Sequence, residues 1–106
     1  MLNTYKYKVD FSGVKDYRDI HGILKESLDF PDYYGGHLDA LFDCLTDMLG
    51  TISIIEIHGL EKLEKYDGYD KRVIDIFRDA KHVYDEFSDR FFVTIVHEDG
   101  TREEIL

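Results

Sequence analysis

A chain of 106 residues can bury one real hydrophobic core without metal or disulfide staples, so we expect a single domain over residues 1–106. Its 23 acidic and 13 basic residues give a net charge of −10, which argues against direct nucleic-acid binding and against anionic membrane surfaces. The one cysteine, Cys44, excludes an internal disulfide and suits a reducing, cytoplasmic compartment; no signal peptide is recognisable, and no apolar run approaches the roughly 20 residues that cross a bilayer.

In chain order, residues 5–11 (YKYKVDF) alternate apolar and polar side chains, the period of a half-buried strand. Tyr17, Ile20, Leu24 and Leu28 then recur at helical spacing over residues 16–28, with Asp16 as the expected N-cap. Gly22 weakens that helix by about 1 kcal/mol relative to alanine. Pro31 stops the segment, because the residue before proline is biased away from helical geometry. After Gly35-Gly36, an apolar stripe of Leu38, Leu41, Phe42, Leu45, Met48 and Leu49 predicts a helix over 37–49, closed by Gly50. The β-branched run ISIIEIH, residues 52–58, reads as a buried strand. A helical turn near 60–64 is expected next. Residues 70–87 then keep i, i+3, i+4, i+7 spacing through Val73, Ile76, Phe77, Ala80, Val83, Tyr84 and Phe87, and 91–96 (FFVTIV) form another apolar strand. Asp99-Gly100 is a hairpin-type turn, from which 102–105 can pair back as a short edge strand. Strands separated by helical crossovers imply parallel pairing. The expected fold is an α/β domain: a small three-stranded parallel sheet, nearly continuously apolar in its second and third strands as covered parallel strands are, packed with three to four helices.

The charge is unevenly placed. Residues 26–61 contain no lysine or arginine but hold eight carboxylates, while the rest of the chain is nearly balanced. A solubility device has no need of such concentration; a face for a basic partner does. Asp39, Asp43 and Asp47 recur every fourth residue, which crowds like charges on one helix face and costs helix stability. Thr46 lies among them on the helical wheel, with Phe42 at the stripe's edge. Asp39 alone could serve the helix dipole, but Asp47 near the C-terminus opposes it. Tyr33 precedes this face, and tyrosine favours interface hot spots; Tyr34 and Leu38 are assigned to the core.

Catalysis finds little support. Exposed aspartates lack the contrasting environments that separate an acid from a base. His37, Asp39 and Asp43 could supply metal ligands, yet no recognised calcium loop or zinc-type histidine spacing is present. Cys44 reads as a buried small hydrophobe. No cofactor, metal or catalytic residue is expected, and the chain is not read as an enzyme.

The run PDYYGGHLDALFDCLTD, residues 31–47, closely resembles the second-helix segment of the barstar family, intracellular inhibitors of the bacterial ribonuclease barnase. IFRDAK, residues 76–81, is similar to that family's last-helix motif, and the order of elements agrees along nearly the whole chain. The resemblance implies an acidic helix and preceding loop that enter a nuclease active site, where carboxylates take the places of RNA phosphates. It makes Asp43 the central anchor, Asp39 its partner, Tyr33 a stacking group, Thr46 a polar contact and Asp79 an acidic contact from the last helix. Gly35, His37, Phe42 and Asp47 complete the expected contact set. Phe42 stands where the family typically has tryptophan, Gly36 and His37 replace a more polar pair, Asp47 replaces a common glycine, and HEDGTREEIL runs past the last family strand. The implied partner is a basic ribonuclease or another basic toxin protein, met by a monomer; the alternative is an immunity or regulatory protein of this fold with a different toxin or a non-nuclease partner.

Overall fold

The computed structural model describes residues 3–48, 51–86 and 90–106. Its elements are β1 (Thr4–Asp10), α1 (Asp19–Ser27), α2 (Leu38–Thr46), β2 (Ile52–His58), one 3-10 turn (Leu60–Leu63), α3 (Tyr69–Glu86), β3 (Arg90–Val96) and β4 (Arg102–Glu104). The four strands lie side by side in sequence order. β1 pairs parallel with β2 and β2 parallel with β3, as crossover helices require. β4 returns antiparallel along Thr94–Val96. The expected α/β architecture is therefore present, and the C-terminal edge strand makes the sheet mixed.

The helices cover one sheet face. Ile55 and Ile57 of β2 and Phe91, Val93 and Ile95 of β3 are buried, and they meet Ile20 and Leu24 of α1, Leu41 and Leu45 of α2, and Val73, Phe77, Ala80 and Tyr84 of α3 in one core; Ser53 of β2 is buried as well. Burial alternates along both strands, which corrects the expectation of strands covered on both sides. Ile54 is only half-buried and Phe92 is 47% exposed on the opposite face. A continuous apolar run carries no sign of which faces are covered; three helices on one side leave the other to solvent.

Two further differences concern helix ends. Asp16 is not the cap of α1, which starts three residues later. Its carboxylate instead accepts the Arg18 N–H (2.8 Å) and pairs with the Arg18 guanidinium, holding a turn ahead of the helix. Asp19 reaches back to accept the N–H groups of Lys15 and Asp16, both at 3.0 Å. Tyr17, placed by spacing on the buried stripe, sits in that turn half-exposed, edge-on to Tyr69. Leu49, Gly50 and Phe87, which the sequence assigns to helix ends, lie outside the described residues.

α2 and α3 pack against each other, and the Tyr84 hydroxyl donates to the Leu45 carbonyl across that contact. β4 is tied in by side chains as well as by its ladder. Asp99 accepts the Thr101 N–H at 2.9 Å to set the turn, Arg102 donates to Glu56 at 2.6 Å across the sheet, and Ile105 is buried. Among the described residues no helix is long and apolar enough to cross a membrane.

Candidate functional site

The double glycine that opens α2 has two separate physical reasons. Gly36 has φ +71°, a left-handed conformation that costs an L side chain about 1–2 kcal/mol. At Gly35 a Cβ would lie 2.9 Å from Nε2 of His37. The space matters because His37 is the helix cap: in extended conformation, its Nδ1 accepts the Ala40 N–H at 3.1 Å. A loop residue read as a partner contact thus also starts the acidic helix.

From that start, Asp39 and Asp43 project into solvent on α2, and Asp47 does so as the capping residue just past Thr46, where the helix ends short of the expected residue 49. Asp39, Phe42 and Asp43 line a shallow depression of about 330 Å³ between α2 and α3, closed on the far side by Ile76 and Asp79. Three carboxylates from two helices therefore surround a small apolar floor. Asp43 also borders a second depression of about 210 Å³, whose wall includes Tyr33, Gly35 and His37. Tyr33, 77% exposed, stands at the outer rim with its ring unburied. Asp47 lies on the other flank of Tyr33, in a third depression shared with Asp29 and Tyr7.

Thr46 behaves differently. It is half-buried, its hydroxyl lies 3.0 Å from the Phe42 carbonyl and 3.1 Å from that of Asp43, and it lines none of these three depressions. Its proton is engaged by its own helix, leaving only lone pairs to a partner. Cys44 is buried beneath the second depression. Burial pushes its thiol pKa up, as do the carboxylates of Asp47 and Asp43, so it is a packing residue without thiolate character. Among the described residues no three His, Cys, Asp or Glu side chains converge as metal ligands.

Sequence reasoning missed what supports the loop. His21 of α1 is buried, with Nδ1 2.5 Å from the Tyr34 hydroxyl and Nε2 2.6 Å from the Tyr69 hydroxyl. The Tyr34 ring also packs on Phe30, 5.0 Å between centroids. Burial, and then the positive charge His37 can carry, lower the His21 pKa; burial raises those of both tyrosines. These partners stand 13 and 48 residues away from His21, so no local pattern in the chain announces them.

Comparison with known proteins agrees with this architecture. The family model Barstar (barnase inhibitor) matches residues 5–96. The "Putative ribonuclease inhibitor YrdF" of Bacillus subtilis (strain 168) is 33% identical over 91 residues, covering 85% of this chain and 97% of that protein. The family match ends at Val96, so β4 lies beyond it. From β1 through β3, with its acidic second helix, this chain belongs to the barstar family.

Proposed function

We propose that this protein inhibits a basic ribonuclease of the barnase type by blocking its active site, with no chemistry of its own. The observation that carries the reading is the gathering of Asp39, Asp43 and Asp79 around one depression on two packed helices. Like charges held there are unfavourable in the free protein and become favourable when a cationic cleft fills the gaps. Asp43, which borders two depressions, is the anchor. Tyr33 lies over the nuclease surface, Asp39 and Asp79 flank the anchor, and Gly35, His37, Phe42, Thr46 and Asp47 complete the contact. The protein acts as a cytoplasmic monomer that meets one nuclease molecule. The relative from Bacillus subtilis, named as a ribonuclease inhibitor, supports the same class of partner.

The test is to titrate the purified protein into a small basic ribonuclease of this type while following RNA cleavage. Stoichiometric inhibition is expected. Asp43→Ala is expected to fold normally and lose about 30-fold or more in affinity, because removing one member of a buried charge pair costs about 2 kcal/mol or more; barnase–barstar itself is among the measured cases behind that figure. A variant within about threefold of wild type would remove Asp43 as the anchor. A second reading has a specific motive: Phe42 floors the acidic depression where the family typically has tryptophan, and the Gly36-His37 loop is likewise altered. If the well-folded protein leaves the ribonuclease uninhibited, the partner is a different basic toxin recognised by the same face.

A further inference from the structure

Among the described residues, no carboxylate pairs with the buried histidine beneath the loop, whose two ring nitrogens face tyrosine hydroxyls. A neutral imidazole has one donor and one acceptor nitrogen, and here both are used, so one of Tyr34 and Tyr69 donates to the ring and the other accepts from it. A protonated ring has two donors. The tyrosine that was donating must then turn its own proton elsewhere, which for Tyr69 means toward Tyr17, its half-exposed neighbour. Of the charged groups nearby, His37 makes the ring's proton still less welcome. Arg18, just ahead of α1, and Lys25 of α1 line the same depression as His21 and Tyr34, each paired with a carboxylate of its own, while His37 stands in the loop. The nearest carboxylates that these cations hold, Asp16 at 3.2 Å from Arg18 and Asp32 at 3.6 Å from Lys25, are exposed and already engaged. Among the described residues, none lining this depression is acidic.

The position of the cluster gives the proton a consequence. Tyr34 is the inward residue of the loop whose outward neighbour is Tyr33, and Gly35, Gly36 and His37 follow it directly into α2. Tyr34 alone in that loop is anchored to both α1 and α3 through His21. We propose that His21, Tyr34 and Tyr69 form a pH gate on this loop: the neutral ring holds it in the shape that presents Tyr33 and His37, and protonation of the ring lets it go. The part of this proposal that concerns a bound partner rests on the inhibitor reading above, and its outcome is faster release of the nuclease in mildly acidic solution. The loop part stands without any partner.

The experiment uses the full chain and NMR. The His21 ring and the Tyr34, Gly35 and Gly36 amides are followed from about pH 7.5 to about pH 5, the range in which histidine titrates. The expected result is that amide exchange in the loop, corrected for its intrinsic pH dependence, accelerates about fivefold or more with the midpoint of the His21 ring. His21→Gln, which keeps a donor and an acceptor but does not titrate, abolishes that transition. His37 remains in this variant, so any transition that belongs to the exposed cap survives there and is told apart. If His21→Gln does not fold, the wild-type comparison decides, because the loop amides are set directly against the His21 ring's own NMR signal. Dissociation of a barnase-type ribonuclease is measured over the same range, and wild type is expected to release it about fivefold faster relative to His21→Gln at the acidic end. Loop amides that stay protected while His21 takes up its proton would overturn the gate, as would identical acceleration in the variant. A protein that binds no nuclease at either pH, yet shows the loop transition, would refute the inhibitor reading and leave the gate standing.

Discussion

Asp43 and His21 carry the proposed contact and the proposed gate, and they differ in how visible they are. Asp43 announces itself in the chain, because three aspartates at four-residue spacing contradict what an isolated helix prefers. His21 looks like any histidine on a helical stripe, and its role exists only once α1, the loop and α3 have packed. The buried ring makes stability depend on pH in a direction that can be worked out. Its folded-state pKa is lowered, while in the unfolded chain histidine titrates near pH 6.5. The unfolded state therefore takes up the proton first, and the stability it contributes is full above about pH 6.5 and declines as pH falls through that value. Urea midpoints are expected to drop between about pH 7.5 and pH 5.5 in wild type and to drop less in His21→Gln. Asp10, held low by hydrogen bonds from Ser12, loses its contribution only below the carboxylate range near pH 4, outside this window. Equal slopes in the two proteins would mean that His21 is not excluded from protonation by folding.

Glycines separate the elements' local cost from their tertiary purpose. Gly22 sits in the interior of α1, and a Cβ there would meet nothing within 4 Å. Gly22→Ala is expected to stabilise the protein by about 0.5–1 kcal/mol. Gly36→Ala, which forces φ +71° on an L residue, is expected to destabilise it by about 1–2 kcal/mol. Thermal melts of the two variants moving in the same direction would refute this account of the loop. The elements themselves were legible in the sequence wherever periodicity was strong: β1, α2, β2, α3, β3, and even β4 from its Asp99-Gly100 turn. What was not legible follows one rule. The start of α1 is set by the exchange of hydrogen bonds among Asp16, Arg18 and Asp19, which single-residue cap preferences do not resolve. The covered face of β2 and β3 is set by where the helices return, which an apolar run does not encode.

At the scale of the molecule, the charge-free-of-cations window of the sequence becomes a surface. The chain from Glu26 to Glu61 folds so that α2 and the loop before it carry much of the acidity, and α3 adds Asp79 from far along the chain. Asp79 joins the site only because α2 and α3 pack, so the resemblance to a family could place it while composition and spacing could not. A surface of one sign steers a basic partner and is screened by salt. Association with a basic ribonuclease is expected to slow roughly tenfold or more between low and about 0.5 M ionic strength, with a much smaller change in dissociation; stopped-flow fluorescence separates the two rates, and a salt effect confined to dissociation would contradict steering. The central claim is that the acidic face of α2, its loop and Asp79 form the partner contact. The most direct measurement is an NMR titration of the isotope-labelled protein with an unlabelled barnase-type ribonuclease. The account predicts that amide shifts concentrate at Tyr33 to Asp47 and around Asp79, and that the open sheet face at Ile54 and Phe92 stays unchanged. Shifts centred on that sheet face or on β4, with the α2 amides silent, would contradict it.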